Sequence, residues 1–266
     1  MTGVRILEEL KRDVFGVVER VRCLAADGAD GAEEVELVRR VVLGPPGIRG
    51  FARLLARRER RALEALRAAG STAVARAPSL DPADVDALAR EPTLSGMRPR
   101  PGDVFLRPYA PGTPLHLADE LPFDFFELLE DAARSLHAAG VCHNDLHKEQ
   151  NVVVDPSGRP VLIDFQLASV HPRRSGRAYD SRCRDDLRHV QKLRRRYTKD
   201  GRGPAELAVA EHERMPRTGL ALLWKRTVKP VYRFVTRRLL RTRDGEEGRP
   251  SAGPWPRWVD PVGPPR

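Results

Sequence analysis

Between positions 143 and 164 the chain sets five side chains suited to phosphate chemistry: His143, Asp145, Lys148 and Asn151 in HNDLHKEQN, and Asp164 in LIDFQLA. Phosphoryl transfer from ATP asks a protein for a carboxylate that receives or orients the acceptor hydroxyl proton, and for hard oxygen ligands to Mg²⁺ beside the phosphates. Asp145 has the type for the first task. Asn151 and Asp164 offer an amide and a carboxylate oxygen for the second.

These residues need a frame, and the flanking sequence supplies one. Residues 152–154 and 161–163 are apolar β runs joined by DPSG, a good turn sequence, and so predict a hairpin. The hairpin places 143–151 in the loop before its first strand and Asp164 just after its second. Loops at strand ends, held by a rigid scaffold, are where reacting groups usually sit.

Further out, RILEEL, VFGVVERVRCL and VELVRRVVL predict three antiparallel strands, and DVFLRPYAPGTPL predicts a strand running into a Pro/Gly-rich connector. Residues 51–69 read as a helix on the apolar positions Leu54, Leu55, Leu63 and Leu66. DPADVDALAR, with an N-cap-like Asp81 and Pro82 in the first turn, reads as a short helix. Residues 123–139 form an amphipathic helix ended by Gly140, and 184–197 and 220–241 also read as helical.

Composition bounds the rest. A chain of 266 residues with 41% apolar content can bury a core in one large domain or two small lobes. Its net charge of +10 is uneven: residues 171–246 hold 22 Lys and Arg against 9 Asp and Glu, a local balance of +13. Such a block suits contact with phosphate groups of an acceptor or an anionic membrane surface. Nucleic acid is disfavoured, because no reading motif or aromatic stacking platform accompanies the charge. Cys23, Cys142 and Cys183 lack paired spacing, which suggests neither a disulfide framework nor a zinc site. No apolar run is long enough to span a bilayer, so a cytoplasmic chain is expected, with peripheral contact at the inner membrane face open to the basic end.

The order HxD, then Asn, then IDF resembles the catalytic loop and metal motif of protein-kinase-like phosphotransferases, whose pattern is H-R-D, Asn, then D-F-G. Asn151 and Asp164 are 13 positions apart, which fits that hairpin. The chain departs from the pattern in four ways. Asn144 replaces the Arg, five residues instead of four lie between Asp145 and Asn151, Gln166 replaces the Gly, and no A-P-E segment follows. HNDLHKEQN with IDFQLA is most similar to the compact bacterial RIO-like and lipopolysaccharide-kinase-like group of serine/threonine-kinase-like proteins, over residues 4–200.

The resemblance implies an α+β, two-lobed fold: a small β-rich N-lobe over 1–110 and a reduced helical C-lobe over 111–215. Helical spacing of apolar residues opposite Arg predicts a basic amphipathic helix at 216–241, and the Gly, Pro and charge of 242–266 predict a tail that is disordered or only partly packed. It implies ATP with Mg²⁺, or Mn²⁺ in its place, and a hydroxyl acceptor on protein Ser/Thr or on a sugar or glycolipid. Asp145 and Lys148 would be catalytic, and Asn151 and Asp164 would hold metal. Either Arg39 or Arg40 would stand in for the nucleotide-pairing Lys, with Glu59, preferred over Glu64, as its partner. Lys11 would contact phosphate from KRDVFG, in the position of the phosphate-covering loop. Asp185 or Asp186 would anchor the catalytic loop. The alternative is a pseudokinase that binds an anionic membrane or partner through its basic end.

Overall fold

A computed structural model describes residues 4–24, 34–75, 80, 82–100, 102–199, 202–204, 207 and 255–261. The chain is mixed α and β, and it divides into two compact units: residues 1–60 with 75–109, and 61–74 with 110–266. The second unit thus takes in residues 61–74, which a cut near 110 assigns to the first. The expected helix at 216–241 and most of the tail lie outside the described residues. Among the described residues no helix is long and apolar enough to cross a membrane.

In the first unit, alternating and β-branched side chains build a four-stranded antiparallel sheet in the order β1-β2-β3-β4: β1 (Arg5–Asp13), β2 (Gly16–Leu24), β3 (Glu34–Val42) and β4 (Val104–Pro108). KRD is the end of β1 and not a break after it. Asp13 turns the chain by accepting hydrogen bonds on Oδ1 from the amides of Phe15 (2.8 Å) and Gly16 (3.2 Å). Gly16 is required there, because at φ 149° a Cβ would lie 2.0 Å from the carbonyl oxygen of Val41.

Register assigns the faces. Val17, Glu19 and Val21 lie opposite Val41, Arg39 and Leu37, and this face receives α2 (Pro82–Arg90), whose Leu88 packs with Val21, Cys23 and Leu37. The other face carries Arg20, Glu36, Val38, Arg40 and Arg107. Toward that face α1 (Pro46–Ala68) brings Glu59, 3.4 Å from Arg107. The buried stripe of α1 differs from the expected one: Ala52, Leu55, Ala56, Ala62 and Leu66 are buried, whereas Leu54 is 51% exposed. Alanine completes the 3.6-residue period here and leaves no room for Leu54 on the inner side.

The second unit is organised around α3 (Phe125–Ala138), which buries Phe125, Phe126, Leu129, Ala133 and Leu136. The helix stops at Gly140, φ 77°, where a Cβ would come within 2.6 Å of the His171 carbonyl oxygen. Three small sheets surround it. β5 (Thr113–Pro114), β8 (Val152–Val154) and β9 (Pro160–Leu162) pair antiparallel in that order. β7 (Val141–Cys142) pairs antiparallel with β10 (Ser169–Val170), and β6 (Glu120–Pro122) pairs in parallel with β11 (Arg257–Val259). The β8–β9 turn is held by Asp155, whose Oδ1 accepts hydrogen bonds from the Ser157 amide, the Ser157 hydroxyl and the Arg159 amide. The last helix, α4 (Arg177–Thr198), starts seven residues before the expected start at 184. Its charged first turns hide the beginning from a reading based on apolar period.

Residues 255–261 are the described part of the tail expected to be disordered or only partly packed, and they are packed. Trp255 meets Tyr197 edge-on at 5.5 Å, Trp258 stacks on Phe123 at 6.3 Å, and the Trp258 indole donates to the Arg202 carbonyl at 3.0 Å. Two tryptophans carry enough apolar area to dock a short strand whose surroundings read as low complexity.

Candidate active site

The site is built on the β8–β9 hairpin. The Ile163 amide donates to the Asn151 carbonyl at 3.0 Å, which extends the strand pairing by one step and fixes Asn151 and Asp164 at neighbouring strand ends. The loop from His143 to Asn151 lies in front of it. Its extra residue is absorbed by a 3₁₀ turn, Glu149–Asn151, whose buried Glu149 takes the Tyr197 hydroxyl (3.0 Å) and pairs with Arg196 of α4.

Despite that insertion, Asp145 and Asn151 meet. Asn151 Nδ2 donates to both Asp145 Oδ2 (3.1 Å) and the Asp145 carbonyl (3.0 Å). Lys148 Nζ lies 3.2 Å from the same Oδ2, and His147 Nδ1 lies 3.0 Å from Oδ1. Asp145 is only 3% exposed. Burial by itself would raise its pKa, but the hydrogen bond from His147 and the charge of Lys148 outweigh it and hold the carboxyl below its usual value. The residue is therefore a carboxylate at neutral pH, and it receives protons weakly.

Behind the loop stands Asp186, completely buried. Its Oδ2 accepts from the His143 amide at 2.8 Å and its Oδ1 from the Asn144 amide at 2.9 Å, while His137 Nε2 approaches Oδ2 at 3.2 Å. Of the two aspartates considered as anchors, Asp186 has this role in the structure. The His143 ring packs on Phe165 with centroids 4.6 Å apart, and its Nε2 meets the Ile163 carbonyl at 2.9 Å, so His143 braces the two strand ends. Asn144, at φ 65°, donates through Nδ2 to the Leu167 carbonyl (2.9 Å) and the Ser169 hydroxyl (3.1 Å).

Asp164 also takes a left-handed backbone, φ 65° and ψ 63°, and its Oδ1 accepts a 2.6 Å hydrogen bond from Gln166 Nε2. Among the described residues Oδ2 has no hydrogen-bond partner. Both Nδ2 hydrogens of Asn151 are engaged by Asp145, which leaves its Oδ1 as the acceptor end of the amide. Two hard oxygens on adjacent strand ends fit a divalent cation such as Mg²⁺. Among the described residues no group of three or more His, Cys, Asp or Glu gathers to hold a metal, so the amide oxygen and non-protein ligands would have to complete the shell.

The nucleotide-side candidates in the first unit are arranged differently from expectation. Arg39 is fully buried on the α2 face, where Nη1 lies 3.5 Å from Glu19 Oε2 and Nη2 donates to the Glu91 carbonyl. Its expected partner Glu59 lies toward the opposite face and pairs with Arg107. The alternation of β3 dictates this: once Leu37 and Val41 face α2, Arg39 must follow them and Arg40 must face the other way. Arg40, half-buried, therefore shares its face with Arg107. Lys11 lies on β1, half-exposed, 3.5 Å from Asp13. In KRDVFG the amides of Phe15 and Gly16 already donate to the Asp13 carboxylate.

Sequence reasoning missed His147, Gln166 and the hydrogen bonds of Asn144. The only signal for His147 was its place two residues after Asp145; Gln166 and Asn144 stood out as departures from the D-F-G and H-R-D patterns.

The site thus joins a braced loop presenting a buried carboxylate, Asp145, to a hairpin presenting an amide, Asn151, and a second carboxylate, Asp164. A family model described as the phosphotransferase enzyme family matches residues 50–175, a little under half of the chain. The matched stretch includes Asp145, Asn151 and Asp164, and it suggests kinase-like phosphoryl transfer; it ends before Asp186. No curated protein matches the chain.

Proposed function

We propose that the protein is an ATP- and divalent-metal-dependent phosphotransferase that moves the γ-phosphoryl group to a hydroxyl. The observation that carries this reading is the contact of Asp145 with both Asn151 and Lys148, at 3.1 and 3.2 Å, on a loop fixed from behind by Asp186. Bound Mg²⁺, with Mn²⁺ as substitute, would neutralise phosphate charge. Asn151 Oδ1 and Asp164 Oδ2 would hold it. Asp145, kept ionised, accepts the hydrogen bond of the acceptor hydroxyl and orients its oxygen toward the phosphorus, while Lys148 compensates negative charge next to it. Positioning does most of the work, since a depressed carboxylate is a poor base in the ground state.

The acceptor is a protein Ser/Thr or a sugar or glycolipid hydroxyl. The likeness of HNDLHKEQN and IDFQLA to RIO-like and lipopolysaccharide-kinase-like proteins supports that choice. In the first unit Arg40 is the better candidate for nucleotide contact, because Arg39 is committed to Glu19 and the Glu91 carbonyl.

Equilibrium nucleotide binding, with and without Mg²⁺, combined with phosphoryl transfer to a panel of hydroxyl acceptors, tests the reading. Asp145→Asn should retain nucleotide binding and lose about 10²–10⁴-fold in transfer rate. Asp164→Asn should lose the metal-dependent part of binding. A wild-type chain that binds no nucleotide at any Mg²⁺ concentration would rule the function out.

A further inference from the structure

Gln166 stands where the D-F-G pattern has glycine, and it makes a contact that glycine cannot. Its Nε2 donates to Asp164 Oδ1 at 2.6 Å. A carboxylate on a one-carbon tether has two torsions, and one short charge-assisted hydrogen bond to a single oxygen fixes its plane. The backbone beneath is equally constrained. Asp164 is held in the left-handed region, Phe165 is 1% exposed against His143, and Asn144 ties down the Leu167 carbonyl and the Ser169 hydroxyl. Gln166 therefore acts from a segment that is fastened on both sides. Asp164 Oδ2 has no hydrogen-bond partner among the described residues.

We propose that Gln166 is a positioning residue that holds Asp164 through Oδ1 and turns Oδ2 alone toward a divalent cation. The proposal rests on the phosphotransferase reading and deepens it. In protein kinases the D-F-G carboxylate and the catalytic-loop Asn hold two Mg²⁺ ions. With Oδ1 engaged by the Gln166 amide, Oδ2 is the oxygen this carboxylate offers to a cation, and one tightly held cation per bound nucleotide is the expected outcome.

Mn²⁺ titration followed by electron paramagnetic resonance, with adenylyl-imidodiphosphate present, measures both stoichiometry and affinity. The chains compared are wild type, Gln166→Met, which keeps length without the donor, and Gln166→Asn, which keeps the amide but falls short of Asp164. Wild type should bind one Mn²⁺ per chain. Both variants should bind it about 10–100-fold more weakly, the usual cost of removing a group that orients a metal ligand. Nucleotide binding in excess chelator and the thermal midpoint should stay at their wild-type values, a split that a merely structural role would not produce. Unchanged Mn²⁺ affinity in both variants, or two equivalent Mn²⁺ ions on the wild type, overturns the proposal while leaving the phosphotransferase reading intact. Wild type that binds neither nucleotide nor Mn²⁺ overturns that reading, and the proposal with it.

Discussion

Both units of this protein bury charge completely, and they treat it in opposite ways. In the second unit Asp186 meets two backbone amides and a histidine, and Asp145 meets an amide, an ammonium and an imidazole. In the first, Arg39 faces Glu19 at 3.5 Å, but Arg39 Nε and Nη1 and Glu19 Oε2 form no hydrogen bond. Burial pulls the Arg39 guanidinium below its usual value, and Glu19 only partly restores it. The lesson is about what each charge is for. A carboxylate that organises backbone amides fixes the shape of a loop; the ion pair across β2 and β3 is looser, and it is its remaining contacts, Glu19 Oε1 with the Leu94 amide at 2.8 Å and Arg39 Nη2 with the Glu91 carbonyl, that packing cannot replace.

The largest expected effect is at Asp186. Asp186→Ala leaves two buried amides and His137 without an acceptor and should cost about 3–5 kcal/mol in urea unfolding. No apolar side chain should rescue it, because the amides remain; recovery to wild-type stability in Asp186→Leu would break the comparison. Next comes the Arg39–Glu19 pair. Arg39→Met alone should cost about 3 kcal/mol, since it strands a buried carboxylate, and the double change Arg39→Met with Glu19→Leu should recover part of that loss but not all, because the Leu94 amide and the Glu91 carbonyl lose their side-chain partners. A double variant as unstable as the single one would mean that the stranded carboxylate is not the source of the loss.

The smallest effect concerns His189 on α4, whose ring lies 5.6 Å from that of His147. Burial, with Arg188 and His147 alongside, lowers its pKa to about 4. The unfolded chain, with an ordinary histidine near 6.5, binds more protons than the folded one between these values. This contribution to stability is therefore complete above about pH 6.5 and is lost as pH falls toward 4. His189→Gln should flatten that slope by roughly 1–2 kcal/mol in denaturation curves taken at pH 7 and pH 4.5. An unaltered slope would place the acid sensitivity elsewhere, with Asp145, whose lowered value adds stability that disappears at still lower pH.

The hairpin and its chemistry were legible because they are local. DPSG between two valine-rich runs specifies β8 and β9, and Asn151 and Asp164 lie at the strand ends through sequence neighbourhood alone. The helix stripe of α1 was misread because alanine was discounted; Ala52, Ala56 and Ala62 are core, and Leu54 is not. The 255–261 strand was hidden because three residues of β pairing and two indoles leave no periodic trace in a Gly/Pro-rich tail.

Composition, period and motif order are one-dimensional quantities, and by themselves they determined the mixture of strands and helices, the hairpin and the residue types that could orient a hydroxyl and bind a hard cation. Which side of β3 receives which helix is a question of three-dimensional packing. So is the choice of Asp186 over Asp185, the pairing of Glu59 with Arg107, and the reach of Gln166 to Asp164. Each depends on contacts between groups that the chain's own geometry does not place together until apolar surfaces meet, and only the tertiary structure decided them.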